Sequence, residues 1–577
     1  MKEENVIIKP WNSNSFKIAL VYPNHYSAMA GLTVQTLYSL WNSHERVICE
    51  RFFLPDNPSP LPSGGRFKPI LSLENHIPLN QFDLIAFTFS YELDYPHLLW
   101  FLENAHIPFY RNQRNITPNG TNDIDFPVII AGGATIRSNP LPLLSFLDAV
   151  FIGEIEPINS QFITTWFEAS ENSDYVSFSA IKSAFLNLLA KIPGFWCPQS
   201  DSVSIRDLPG KLFISHVIAK NLDEIPHPLA QIKPILNNQQ QKKGEKEGEG
   251  LSSNIAFTDA LFVEIARGCP HICRFCMTGN QVKPYRFRSL ENIQKIILKG
   301  SSLTNISRIA LIGSSVTDHS DFKEIAEFII SHGWGLNVPS IRIDKLTPEM
   351  AHLLQKGGMK TVTIAPETGS DSLRKRLNKH LTNIEIIQGA RLLRKLNITA
   401  LKIYVIFGFP FEQDDDIDQL IILLNQLCEL GFGKRNIRVS LNPFIPKAHT
   451  PFETAVDAYL DPQMPQLKQK IKFIKRALQK NSKIQLSFMS LYEAYLQTVL
   501  ALGDERFARL IEEWYRESLK PKDWYKYCLD DSHIWRQEIS SYFQEIKSLP
   551  FGERPWNCII HHVSPKWLQK QRNKSRR

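Results

Sequence analysis

From residue 16 onward, short apolar runs alternate with stretches in which apolar residues recur every three or four positions. Runs at 16–22, 47–53, 83–89, 127–132 and 148–152 predict strands, and helical patterns lie between most of them. Continuous apolar strands separated by amphipathic helices are what a parallel sheet covered on both faces requires. The pattern predicts a doubly wound α/β domain, Rossmann-like or flavodoxin-like. Ligands of such sheets bind where loops leave the strand carboxyl ends, here 23–31, 90–92, 132–134 and 153–156.

The alternation then changes. A helix follows, then a break at Pro193 and Gly194 and two short strands around 202–215, before the polar stretch 237–254, which has no buried-face periodicity. After it come six more strand-like runs, at 261–266, 308–312, 336–341, 361–365, 401–407 and 436–442. Helical patterns separate them at 290–302, 322–332, 384–396 and 417–430. Six successive βα units predict an incomplete (β/α)6 barrel of the TIM type, with its reacting groups at the strand carboxyl ends. The end of the chain reads as helices at 491–502, 505–517 and 534–546. The expected divisions are 1–160, a connecting piece 161–236, a flexible insert 237–254, the barrel 255–480 and a helical extension 481–577.

A chain of 577 residues with 43% hydrophobic and 21% charged residues suits several globular cores and excludes a fibrous or disordered class. The polar start lacks the apolar run of a secretory signal, and no stretch is apolar enough to cross a bilayer, so a cytoplasmic protein without membrane contact is expected. The net charge of +8 is concentrated at the end, where Lys566, Lys570, Arg572, Lys574, Arg576 and Arg577 carry six positive charges with no acid. Such a tail reads as a solvated, disordered end, and nucleic-acid binding is the competing reading.

Cysteine use changes the picture most. Three of the eight cysteines fall in Glu264-Ile-Ala-Arg-Gly-Cys269-Pro-His-Ile-Cys273-Arg-Phe-Cys276, directly after the first barrel strand. Three thiolates on one loop can each ligate a different iron of a 4Fe-4S cubane, leaving the fourth iron open for a small molecule. A zinc site normally takes four protein ligands, and no second cysteine pair exists; His271 would complete one only if the loop folded back on itself. Cys49, Cys197, Cys428, Cys528 and Cys558 are scattered. His561 and His562 are adjacent, and such neighbours usually point apart.

The CxxxCxxC triad, with Phe275 before its third cysteine, resembles the radical S-adenosylmethionine (radical SAM) superfamily, whose core is a six-strand partial barrel. The resemblance implies that Cys269, Cys273 and Cys276 hold a 4Fe-4S cluster. It implies too that S-adenosylmethionine chelates the open iron and is cleaved by one electron to a 5'-deoxyadenosyl radical. By the same resemblance, Gly313 and Ser314 lie beside the methionine amino group, Arg342 and Glu367 contact the carboxylate and ribose, and Gly408 approaches the adenine. Flavodoxin or ferredoxin would donate the electron.

A narrower resemblance is to the subgroup with an N-terminal cobalamin-binding-like Rossmann domain. It is carried by Tyr22-Pro-Asn-His-Tyr26, Ala131-Gly-Gly133, Asn139-Pro140, Gly153-Glu-Ile-Glu156, Ala365-Pro-Glu-Thr-Gly369, Asn378-Lys379 and the segment 442–452. This implies cobalamin as a further cofactor. The loop after the first strand lacks the DxHxxG cobalt-ligand motif, and His25 there reads more simply as a loop histidine. Lack of a second cysteine triad disfavours a methylthiotransferase. The expected activity is radical chemistry at an unactivated carbon, by cobalamin-type methyl transfer or rearrangement. A non-catalytic iron-sulfur redox protein and an RNA-modifying enzyme are the alternatives.

Overall fold

The computed structural model describes residues 2–56, 58, 69–115, 125–171, 177–198, 214–235 and 259–576. The predicted insert 237–254, and all of the region around 202–215 except its last two residues, lie outside them.

All five N-terminal strands form, as β1 (Phe16–His25), β2 (Val47–Leu54), β3 (Leu84–Thr88), β4 (Val128–Gly132) and β5 (Ala149–Phe151). They pair in parallel in the order β2-β1-β3-β4-β5, the flavodoxin-like arrangement, and a sixth strand, β6 (Phe195–Trp196), closes one edge antiparallel. The two-residue alternation of a strand shows in the packing. Ala19, Val21, Ile85 and Phe87 face one core, while Phe16, Ile18, Leu20, Leu84 and Ala86 face another. The second core is roofed by Leu32–Asn42, Asn159–Ser170 and Phe178–Leu189, with Phe16 stacked on Trp166 at 4.4 Å.

The six predicted barrel strands also form: β7 (Ala260–Glu264), β8 (Arg308–Ile312), β9 (Gly335–Asn337), β10 (Thr361–Glu367), β11 (Ala400–Phe407) and β12 (Ile437–Pro443). A seventh, β13 (Ile484–Phe488), extends the arc beyond the expected six. Pairing is parallel throughout, β7-β8-β9 joining β10-β11-β12-β13 through an isolated bridge between Ile341 and Ile364. Every strand carboxyl end therefore lies on one edge of the arc. Local signals place the helices between strands: Thr382 and Glu385 close a reciprocal capping box at the start of Asn383–Lys395.

The core on the first face of the N-terminal sheet does not stop at that sheet. It runs through Tyr95–Asn104 into the barrel interior and on to the C-terminal helices Leu491–Leu502, Phe507–Glu517, Pro521–Leu529 and Ile534–Ser548. Asn139 fastens the junction, its amide donating to the Gly503 carbonyl at 2.7 Å and the Ala501 carbonyl at 3.3 Å. No helix among the described residues is long and apolar enough to cross a membrane.

The basic end is a correction. Residues Pro565–Ser575 form a helix, with Ser564 capping it through the Trp567 amide and Pro565 in its first turn. Its cations are not all solvated. The Arg572 guanidinium lies 5.4 Å from the Phe452 ring and 5.9 Å from that of Phe411, and it donates to the Pro451 carbonyl. Arginine's apolar stem and planar head let it pack where a tail of charges suggests only solvent.

Candidate active site

Cys269, Cys273 and Cys276 lie on the loop leaving the carboxyl end of β7, and Cys276 caps the short helix Met277–Gln281. The loop is stitched through its backbone. The Asn280 amide donates to the carbonyls of Cys273 and Cys276 at 3.0 and 2.7 Å. The Arg274 amide reaches Leu377, its guanidinium reaches the Arg376 carbonyl at 2.6 Å, and Asn378 donates to Ile272 at 2.7 Å. Gly279 is there for space: a Cβ would stand 2.6 Å from the His271 carbonyl oxygen.

Burial pushes all three thiols up, Cys273 to about 12, and each is raised further by another cysteine of the loop or by Glu367. Cys273 is electrostatically coupled to both other thiols. Backbone N–H groups of His271, and of Thr278 and Gly279, stabilise the sulfurs of Cys269 and Cys276. Buried neighbouring thiols stay protonated unless a cation takes the proton's place, so the donor set fits a metal centre. Among the described residues, no three His, Cys, Asp or Glu side chains converge on a single ion. A cubane makes a different demand, since its cysteines attach to separate irons. His271 is committed elsewhere, its Nε2 lying 2.7 Å from Asp318, which also accepts from Ser315.

The remaining sequence-derived residues occupy the carboxyl edge of the barrel. Glu367 ends β10 at φ +66° and pairs with Lys379 at 2.7 Å, and both charges act on Cys273 and Cys276. Arg342 follows β9, donates to Asp344 and the His380 carbonyl, and is close enough to lower Cys269. Phe275 packs on Phe409 at 5.4 Å, and the Gly408 amide donates to Glu412 at 2.7 Å. Gly313 and Ser314 leave β8 and line a cavity of about 600 Å³.

That cavity joins the two sheets. Its wall includes Thr88, Ser90, Gly132, Gly133, Gly153 and Glu156 from the N-terminal domain, and Glu264, Gly268 and Thr278 around the cysteine loop. Three of the four loops expected to bind a ligand therefore meet the barrel's reactive edge. His25 is not on the wall, nor are Phe275, Arg342, Glu367 and Gly408. His561 is buried against His449 and His216, while His562 is exposed with its ring 6.1 Å from that of the same His216. Sequence reasoning missed Asp318, Arg137 and the roles of Arg274 and Lys379. The acid closing Ser314-Ser-Val-Thr-Asp318 was a usable signal; Arg137 offered none.

A model described as radical SAM proteins, N-terminal, matches residues 33–198, and one described as the radical SAM superfamily matches 263–424. An uncharacterized protein of Methanocaldococcus jannaschii is 27% identical over 497 residues, 86% of this chain and 90% of its own length. An uncharacterized methyltransferase of Pyrococcus horikoshii is 23% identical over 213 residues, 36% of this chain and 43% of its own. Among solved structures, the radical S-adenosylmethionine methyltransferase TsrM of Kitasatospora setae, with cobalamin and a [4Fe-4S] cluster bound, aligns at TM-score 0.48. It is 13% identical and covers 77% of this chain and 74% of its own. With both family models spanning more than half the sequence between them and matching the two α/β units just described, the chain belongs to the radical SAM superfamily of enzymes.

Proposed function

We propose that Cys269, Cys273 and Cys276 hold a 4Fe-4S cluster, that S-adenosylmethionine binds beside it on the barrel's carboxyl edge, and that the substrate occupies the cavity shared with the N-terminal sheet. A bound cluster with an open iron supplies the electron and the coordination site for reductive cleavage of S-adenosylmethionine. The chain's own residues do the rest. Asn280, Arg274 and Asn378 fix the loop so that the sulfurs keep one arrangement, and the Glu367–Lys379 pair sets the charge beside them. The supporting observation is that a cavity walled jointly by two sets of strand carboxyl ends, one of them the ligand-binding edge of a flavodoxin-like sheet, reaches both ends of the cysteine loop at Gly268 and Thr278, the three cysteines themselves lying off its wall.

Methyl transfer with cobalamin in that cavity is the reaction we favour over rearrangement, in keeping with the methyltransferase among the relatives. Among the described residues the cavity wall carries no histidine, so a corrinoid would be held there without an imidazole ligand from them. A cytoplasmic location with flavodoxin or ferredoxin as electron donor fits eight free thiols. Arg572, one of the six cations of the last segment, is engaged by the protein itself, which weakens the RNA reading.

Anaerobic reconstitution with iron and sulfide, followed by dithionite and S-adenosylmethionine, tests the proposal. Release of 5'-deoxyadenosine or S-adenosylhomocysteine is expected; a loaded cluster that releases neither would leave an iron-sulfur protein without this activity.

A further inference from the structure

The cavity contains a charge that the protein does not balance. Four arginines gather where the N-terminal sheet meets the barrel, and three have carboxylate partners. Arg286 grips Glu154 with both Nη atoms at 2.8 and 2.9 Å. Arg267 pairs with Glu156 at 2.6 Å and Glu264 at 2.7 Å, and reaches Glu154 at 3.2 Å. Arg288 lies 3.6 Å from Glu264. The fourth is Arg137, on the cavity wall. Among the described residues no hydrogen bond or ion pair reaches its guanidinium, and its Nε is sealed from solvent.

The nearest acid cannot serve it. Glu154 is the carboxylate that Arg137 feels most, but its oxygens already accept from Arg286 and the Ala219 amide and pair ionically with Arg267. The other neighbours are two imidazoles, His216 and His561, which burial holds neutral and which contribute no negative charge. Asp223 adds a fourth acid beside Arg288, but the carboxylate nearest Arg137 is already engaged by Arg286 and Arg267, and Arg137 lines the cavity without one of its own. A guanidinium withdrawn from water without a counter-ion is costly, and its planar donor fork suits the oxygens of a phosphate or carboxylate.

We propose that the cavity takes a ligand bearing an oxyanion, a phosphate or carboxylate, which pairs with Arg137 while its apolar body lies along Leu20, Trp41, Phe87, Phe151 and Phe162. The lining mixes these apolar side chains with hydroxyls such as those of Thr36, Thr88 and Ser90, as ligand sites commonly do. This inference stands on charge balance and shape, and so is separable from the radical reading: binding is measured with no turnover.

The test uses full-length reconstituted protein, wild type, Arg137→Gln and Arg137→Lys, at constant ionic strength. Inorganic phosphate is the first probe, read by thermal unfolding against chloride. Phosphate should raise the midpoint of the wild type, less so that of Arg137→Lys, and leave Arg137→Gln unmoved. Equilibrium dialysis with S-adenosylmethionine, hydroxocobalamin and cobinamide, which lacks the phosphodiester tail, then identifies the source. A tenfold loss for S-adenosylmethionine alone in Arg137→Gln assigns the anion to its carboxylate, and a tenfold loss for hydroxocobalamin but not cobinamide assigns it to the phosphodiester. A phosphate response without either loss assigns it to a separate anionic substrate. Without ligand, Arg137→Gln should unfold at or above the wild-type temperature. A wild type indifferent to phosphate, an Arg137→Gln protein that responds equally, or one markedly destabilised without ligand would each overturn the proposal.

Discussion

The Arg274 guanidinium, between two of the three clustered cysteines, lies 3.3 Å from the Gln571 side-chain oxygen on the last helix of the chain. Arg376, whose carbonyl accepts from Arg274, donates in turn to the Ser575 carbonyl at 2.9 Å. The terminal helix thus braces the reactive loop. Removing residues 565–577 should leave the circular dichroism of the remainder nearly unchanged but accelerate bleaching of the iron-sulfur absorbance in air. Arg572→Ala, which loses two ring contacts, should cost about 1–2 kcal/mol of stability by denaturant titration. Equal bleaching rates with and without the helix would rule out a bracing role.

The three loop cysteines should behave differently from the other five. Cys269→Ala, Cys273→Ala or Cys276→Ala is expected to abolish or severely deplete bound iron after reconstitution. Cys428→Ser, at a thiol far from the loop that accepts from Asn481, should retain the full complement. Iron and sulfide analysis of the purified variants decides the matter.

Gly279 predicts a third outcome. In Gly279→Ala the new methyl meets the His271 carbonyl at 2.6 Å, so the loop must shift. Overpacking of this kind costs about 1–3 kcal/mol. Iron occupancy should fall while the unfolding transition moves modestly; Gly333→Ala is a poor control because its φ is +82°, whereas Gly433→Ala is suitable.

Acid should weaken the fold through its buried histidines. Burial holds His216 at about 4 and His449 at about 3, below the value of about 6.5 expected in an unfolded chain. Above pH 6.5 both states are neutral and the stability is complete. As pH falls from 6.5 toward 4 the unfolded chain takes up protons that the folded chain refuses, which costs roughly 3 kcal/mol per histidine by pH 4. Asp94, raised to about 7 chiefly by burial, works in the opposite sense, so the informative measurement is a difference. Stability of His449→Gln minus wild type, followed from pH 7.5 to 4.5, should rise as pH drops. A flat difference would place His449 outside this linkage.

Much of this was readable in the chain because it is written in local pattern. Strands β1, β8 and β11 are apolar runs bounded by turns, and their edges needed only small adjustment. The cysteine spacing announced its loop, and residues 132–134 and 153–156 were expected at strand ends where the cavity now lies. What escaped depends on partners distant in sequence. β13, Ile-Gln-Leu-Ser-Phe, is half exposed and has too few apolar residues to stand out until it pairs with β12. The terminal helix looked like free charge because nothing in its own sequence names Phe411 or Phe452. Arg137 is one arginine among many; only the fold reveals that its neighbours' carboxylates are already taken.

The apolar core that crosses from the first sheet into the arc of strands has a consequence for how the molecule comes apart. Cleaving the backbone between residues 236 and 258 would divide the polypeptide but not the interior, because Leu98, Phe101, Ile265 and Trp514 belong to one continuous mass of side chains. Neither fragment would possess a finished surface. The halves should cling together after cutting and aggregate when made separately, so that two units set apart in the sequence by a polar stretch melt as a single body.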